Sequence, residues 1–286
     1  MKIYLNGHYI SAIIASVPLF DRGILYGEGV FETMRAINGK VPFFYKHYRR
    51  FEESARFFDM CLKMSPDGIE MAILKLTHIN RLQDAYVRIT ATGGNNILTS
   101  GVLASAARKK CNIFIQTGKY KPPNVENYLS GVTLAMSSIR KSRSSIIIRH
   151  KTTCFLENMV AKRNAVKKKC FDALFLDEEK NVAECATSNI FWVKGETIIT
   201  PSLKCPILPG ITRQAVIDIA RKLNIRVVEM DEPKMAGLLE ADEVFITNSL
   251  IGIMPVRKIS GRRKFYPAPG KITALLWKLY EQALYN

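Results

Sequence analysis

The chain has 286 residues, 48% of them hydrophobic and 23% charged, a balance that supports buried cores and excludes a disordered or collagen-like protein. Its 42 Lys and Arg stand against 25 Asp and Glu, a net charge of +17. That excess is spread through the chain, as over 140–151, 162–169 and 257–264, with no basic tail and no zinc-finger, helix-turn-helix or ribonucleoprotein signature. Small anionic ligands are therefore the expected partners. A nucleic-acid-binding protein is the alternative class, with only salt-sensitive, sequence-blind binding expected.

In chain order, a strand is predicted over 2–5, followed by the turn Asn6-Gly7, which arrives before any apolar run of signal-peptide length. No stretch approaches the ~18 consecutive apolar residues of a spanning helix, so a cytoplasmic protein is expected. A loop through Asp21-Arg22-Gly23 leads to a strand over 30–36 and a hairpin turn at Asn38-Gly39. The spacing of Tyr48, Phe51, Ala55 and Phe58 predicts a helix over 45–59 with one buried face. Strands over 86–91 and 112–116 complete the first part.

Gly, Lys, Tyr, Pro and Asn crowd residues 118–124, the composition of a connection between domains. The expected division is a small amino-terminal α/β domain over 1–117 and a larger carboxy-terminal domain over 125–286. The second part predicts strands over 132–136, 173–176, 190–193 and 244–247, and helices over 152–169, 212–223 and 271–284. Ile146, Ile147 and Ile148 read as strand-like. The six cysteines are scattered, and His8, His47, His78 and His150 form no ligand pair, so no metal site or disulfide framework is expected. His47 is expected to brace Arg50. Gly27-x-Gly29 lacks the third glycine of a dinucleotide fingerprint, and no G-x-S-x-G occurs.

Four places could carry chemistry, and each has a plainer reading beside it. Leu208-Pro209-Gly210-Ile211-Thr212-Arg213 delivers a threonine to a helix start, where unpaired N–H groups and the macrodipole attract anions; Thr212 could equally be only an N-cap. Arg50, beside the apolar face of its helix, is a second phosphate ligand or a side chain lying over apolar surface. Lys151 sits at the end of an element, placed for a nucleophile whose pKa falls beside another cation or on burial, or as one more surface lysine. Glu184, between Val182, Ala183, Cys185 and Ala186, points inward and needs a cationic partner, either a protonated ring nitrogen or an arginine.

The order and spacing of these segments resemble the fold-type IV pyridoxal-phosphate enzymes, which comprise branched-chain and D-amino-acid transaminases and 4-amino-4-deoxychorismate lyase. The resemblance runs through Asp21-Arg22-Gly23, Tyr26-Gly27-Glu28-Gly29-Val30-Phe31-Glu32, His47-x-x-Arg50-Phe51 and Lys151. It continues in Glu184-Cys185-Ala186-Thr187-Ser188-Asn189, Gly210-Ile211-Thr212-Arg213 and Asn248 through Val256.

This resemblance implies a two-domain α/β fold, with a small amino-terminal domain and a larger pseudo-barrel domain, and a homodimer with its active site near the interface. It also implies pyridoxal 5′-phosphate as cofactor, held as a Schiff base on Lys151, which also carries protons. Glu184 would pair with the pyridine nitrogen, and Arg50, Ile211, Thr212 and Ser249 would hold the phosphate. Leu208 would pack on the ring, and Ser188, Asn189 and Asn248 would line the cofactor. Thr33 is a candidate for assisting proton movement, and Arg88 and Leu250 are candidates on the substrate side.

Within the family, Asn248-Ser249-Leu250 through Met254-Pro255-Val256 and the leucine at Leu156 resemble the lyase. Tyr86-Val87-Arg88 resembles a branched-chain transaminase, and the loop 93–96 lacks an arginine that lyases and D-amino-acid transaminases carry nearby. The expected reaction is release of 4-aminobenzoate and pyruvate from aminodeoxychorismate, with amino transfer as the alternative.

Overall fold

The computed structural model describes residues 1–95 and 109–285, so the end of the loop 93–96 lies outside the described residues. They form two compact units, Met1–Lys121 with His150–Cys154, and Pro122–Arg149 with Phe155 onward. The segment carrying Lys151 thus belongs to the amino-terminal unit, although its position in sequence falls within the region 125–286.

In the first unit, β1 (Lys2–Leu5) and β2 (His8–Ser11) form a hairpin. There follow α1 (Arg22–Tyr26), β3 (Gly29–Ile37), α2 (Phe44–Phe57), β4 (Met60–Cys61) and α3 (Pro66–Ile79). β5 (Asp84–Thr92), β6 (Lys109–Lys110) and β7 (Asn112–Lys119) complete the unit. Five strands make an antiparallel sheet in the order β2-β1-β7-β5-β3, and β4 pairs with β6 apart from it. Strand side chains alternate between faces. Val30, Met34 and Ala36 of β3, with Val87, Ile89 and Ala91 of β5, accordingly share a core with Phe44, Phe51 and Ala55 of α2 and Ile69, Ile73 and Leu76 of α3. No element is predicted from sequence where α3 forms. Its signal is Ser65-Pro66, a side-chain N-cap accepting from the Gly68 N–H followed by proline in the first turn.

The second unit contains α4 (Val125–Ser130), β8 (Val132–Lys141), α5 (Leu156–Lys167), β9 (Asp172–Asp177), β10 (Val182–Cys185), β11 (Asn189–Lys194) and β12 (Thr197–Pro201). It continues with α6 (Ile211–Lys222), β13 (Val227–Met230), α7 (Met235–Leu239), β14 (Glu243–Asn248), β15 (Gly252–Ile259) and α8 (Lys271–Tyr285). Eight strands form one mixed sheet in the order β10-β9-β8-β15-β14-β11-β12-β13. Its central strands are covered on both faces, which explains their nearly unbroken apolar runs. One face packs Leu134, Leu174, Ile190, Trp192, Ile246 and Met254, while Ala135, Ala173 and Phe175 meet Ala161 and Ala165 of α5.

Two expectations are corrected. The helix expected over 152–169 begins only at Leu156, and residues Ile146–Arg149 form one 3-10 turn instead of a strand. The run of three isoleucines carries β propensity, but two of them, Ile146 and Ile147, are exposed and the run has no sheet partner, so propensity alone does not decide it. Among the described residues no helix is long and apolar enough to cross a membrane.

Candidate functional site

The free edge of β3 receives residues 151–153 as a short antiparallel addition. The Phe31 N–H donates to the Lys151 carbonyl at 2.8 Å, the Thr153 N–H donates to the Gly29 carbonyl at 2.8 Å, and Thr152 bridges to Val30. The Thr153 hydroxyl donates to the Gly27 carbonyl at 2.8 Å. A side chain at position 29 would run into Thr153, 2.7 Å from its Oγ1, so the glycine lets the two backbones meet. On the other side of the lysine, His150 stacks on Phe57 with centroids 4.3 Å apart, and its Nδ1 lies 3.1 Å from the Ser54 hydroxyl. Lys151 is thus held by extended backbone on a sheet edge, and not by a helix start.

The Lys151 amine lies over the Phe31 ring, 4.7 Å from its centroid, and the Arg88 guanidinium lies over the same ring at 3.7 Å. Arg88 is the cross-strand partner of Thr33, which is half-buried. One ring therefore gathers a nucleophilic amine and a cation able to take a carboxylate. Phe31 was named only as part of a motif, because its role depends on a contact 120 positions along the chain.

Glu32 points the other way, into the core side, and is buried. Arg50 grips it with both arms, Nε to Oε1 at 2.7 Å and Nη2 to Oε2 at 2.8 Å, and His47 Nδ1 meets Oε2 at 2.7 Å. Burial pushes the Glu32 carboxyl up, but the Arg50 charge and the contact with His47 outweigh it and hold the group at about 2. Burial pushes His47 down; Glu32 opposes this, while Arg50 and Lys151 add to it. His47 and Arg50 thus share the Glu32 carboxylate, through which His47 braces Arg50. Glu32 has no role assigned from sequence beyond its place in the motif Tyr26 to Glu32. Its signal was a carboxylate on the face of a strand whose neighbours Val30, Met34 and Ala36 are all core.

In the second unit, α6 begins at Gly210, an N-cap with no side-chain hydrogen bond, so Thr212 is not the cap. Thr212 is buried one position inside the helix, with its hydroxyl 3.2 Å from that of Tyr280 on α8. A helix start with no side-chain cap keeps its first N–H groups for an anion. Glu184 is buried on β10, and its Oε2 accepts from the Leu208 N–H at 3.0 Å and the Asn189 amide at 3.2 Å. The same amide donates to the Leu208 carbonyl at 2.9 Å. Glu184, Asn189, Leu208, Ile211 and Thr212 thus lie on one stretch of this unit.

Ser188 does not join them. Its hydroxyl donates to the buried Asp172 at 2.8 Å, as does that of Thr187 at 2.8 Å, so this part of the motif braces the loop. Asn248 also works on the backbone. Its Oδ1 accepts from the Leu250 and Ile251 N–H groups, each at 2.9 Å, and its amide donates to the Thr187 carbonyl at 3.0 Å. Ser249 and Leu250 are half-buried within the loop so fixed.

The arrangement offers an amine beside a cation in one unit, and a helix start without a side-chain cap beside a buried carboxylate in the other. The class IV amino-transferase family model matches residues 29–259. The chain is 32% identical over 285 residues to the aminodeoxychorismate lyase of Bacillus subtilis (strain 168), covering 99% of this chain and 95% of that protein. It is 31% identical over 295 residues to the D-alanine aminotransferase of Listeria monocytogenes serotype 1/2a (strain 10403S), covering 99% and 96%. The branched-chain aminotransferase of the thermophilic archaeon Thermoproteus uzoniensis, solved with norvaline, superposes with a TM-score of 0.89 at 27% identity, covering 100% of this chain and 95% of that one. The chain belongs to the class IV aminotransferase family of pyridoxal-phosphate-dependent enzymes.

Proposed function

We propose that this protein is a cytoplasmic, homodimeric lyase that converts 4-amino-4-deoxychorismate to 4-aminobenzoate and pyruvate. The observation that carries this reading is the Asn248 side chain, which fixes its loop through the Leu250 and Ile251 N–H groups. A glycine there, as in the G-T-A-A loop of branched-chain transaminases, has no side chain with which to do so. Leu156, exposed at the start of α5 where branched-chain transaminases carry a tyrosine, is consistent with it.

The residues fit the cofactor group by group. The open start of α6 with Thr212 suits a phosphate, the buried Glu184 suits a basic ring nitrogen, and Lys151 suits an aldehyde. Bound pyridoxal phosphate supplies a carbon that condenses with amines and a ring that accepts electrons. Lys151 Nζ then removes the proton from the substrate carbon that bears the amine. Loss of enolpyruvate makes the remaining ring aromatic, which drives the reaction forward. Arg88 takes a substrate carboxylate close to Lys151, Arg50, Ile211 and Ser249 assist in holding the phosphate, Leu208 packs on the ring, and Leu250 shapes the substrate side. Thr33 assists the proton on the Arg88 side. Ser188 and Asn248 act by bracing the cofactor-lining backbone.

Exposed Ile13, Ile14, Leu19, Phe20, Ile24 and Leu25 crowd one stretch of the first unit. So large an apolar run suits a second copy of the chain, and light scattering should give twice the chain mass.

The position of Arg88 over Phe31 beside the lysine also supports a second reading, amino transfer, since an amino acid carries its carboxylate on the carbon next to the amine. The two readings separate in one assay. Incubation with aminodeoxychorismate should release 4-aminobenzoate and pyruvate in equal amounts with no build-up of the cofactor's amine form. Rapid conversion of the cofactor to that form by D- or L-amino acids, with no aminobenzoate released, would overturn the lyase in favour of the transaminase.

A further inference from the structure

Asn189 is buried on the first residue of β11 and makes two bonds with one amide group, to Glu184 Oε2 at 3.2 Å and to the Leu208 carbonyl at 2.9 Å. The Leu208 N–H in turn donates to the same Glu184 oxygen at 3.0 Å. Amide, carboxylate and peptide group form a closed triangle. On the far side of this side chain, the Asn189 side-chain oxygen occupies the space that a Cβ at Gly210 would need, so the cap of α6 packs directly on Asn189. One asparagine therefore touches both the acid on β10 and the loop that starts α6.

From this we infer that Asn189 is a positioning residue. It fixes the orientation of the Glu184 carboxylate and ties it to the start of α6, so that the group held by the acid and the group held by the helix keep one spacing. The inference rests on the reading above that Glu184 serves the ring nitrogen of the cofactor. The physical basis is that a carboxylate in a buried place rotates until its donors are satisfied, and two converging donors leave it one orientation. A charged acceptor loses more than a neutral one when a donor is removed. Gly210 is required for the same reason, since any side chain there displaces the amide.

The test compares Asn189→Ala, Asn189→Asp and Glu184→Gln with the parent protein. It reads thermal unfolding of the apoprotein, the dissociation constant of pyridoxal 5′-phosphate, and the nitrogen NMR shift of the isotope-labelled cofactor ring. Both Asn189 variants should unfold cooperatively, bind the cofactor roughly 10- to 100-fold more weakly, and move the ring nitrogen towards its unprotonated shift. Borohydride should still fix the cofactor on Lys151. The movement should be smaller in Asn189→Asp than in Asn189→Ala, because the added negative charge beside Glu184 favours the protonated ring nitrogen and partly offsets the lost donor.

A parent-like ring shift in both Asn189 variants, with a clear shift in Glu184→Gln, overturns the role of Asn189 and leaves that of Glu184 standing. No shift in Glu184→Gln overturns the Glu184 reading and the inference together. Loss of cooperative unfolding in both Asn189 variants assigns the residue to the fold alone and also overturns the inference.

Discussion

Lys151→Ala should lower turnover by about four to six orders of magnitude while leaving the fold intact. The backbone at 151 is held by its carbonyl, which accepts from the Phe31 N–H, and by the neighbouring Thr153 bonds to Gly27 and Gly29. None of these uses the lysine side chain, so the edge strand survives truncation. What disappears is the amine over Phe31, the group to which the proposed function assigns both the covalent hold on the cofactor and the movement of the substrate proton. Reduction with borohydride followed by peptide mass analysis should find the cofactor fixed on Lys151 in the parent and on no residue in the variant. A variant that turns over at more than about one hundredth of the parent rate, or a reduced parent with an unmodified Lys151, removes this lysine from the chemistry.

The second large effect is on stability. Replacing Glu32 by Gln leaves the buried Arg50 guanidinium without the carboxylate that takes two of its arms, and breaking such a pair costs about 3 to 5 kcal/mol. The pH dependence provides an independent check. The folded value of Glu32 is depressed from 4.5 to about 2, so its contribution is complete above about 4.5 and is lost as the pH falls through about 2. That shift corresponds to about 3 kcal/mol.

His47 is also depressed from 6.5 by burial, so the native state binds fewer protons there than the unfolded protein. Its contribution is therefore complete above about 6.5 and declines as the pH falls below that. Urea unfolding of the apoprotein from neutral to acid pH should show the parent losing stability first below 6.5 and again between 4.5 and 2. Glu32→Gln should begin lower and lack the second loss. Adding Arg50→Met should recover part of the difference, because the stranded charge is then gone. A variant as stable as the parent at neutral pH would show that the Arg50–Glu32 pair contributes nothing net.

The elements with strong local patterns were legible. The three-and-four spacing in α2, the apolar runs of β9 and β11, and the amphipathic α6 each state their structure within a dozen residues. So were the residue types for the chemistry, because an amine, a buried acid and a glycine-led helix start carry their functional possibilities in their own composition. The start of α3 is marked by Ser65-Pro66 and by Asp67 in its first turn, signals that are local and were there to be used.

What local pattern could not supply was partners. Residues 152–155 look like a helix beginning, since Thr and Cys are tolerated there, yet the free edge of β3 offers two backbone hydrogen bonds that a helix start does not. Thr212 has the chemistry of an N-cap, but Gly210 occupies the cap and Tyr280, 68 positions away, takes the hydroxyl. The motif points Ser188 towards the cofactor, while Asp172, 16 positions earlier and fully buried, takes its hydroxyl proton in a hydrogen bond.

By itself the sequence determined the class of fold, the order of most elements and the inventory of reactive groups, because propensity, periodicity and side-chain chemistry are local properties. Tertiary structure alone decided that Lys151 lies on the edge of the amino-terminal sheet, that Glu32 stands behind Arg50, and that Asn189 locks Glu184. Each of those depends on a buried polar group finding its partner across the fold, and the penalty for leaving such a group unsatisfied is set by its surroundings and not by its neighbours in sequence.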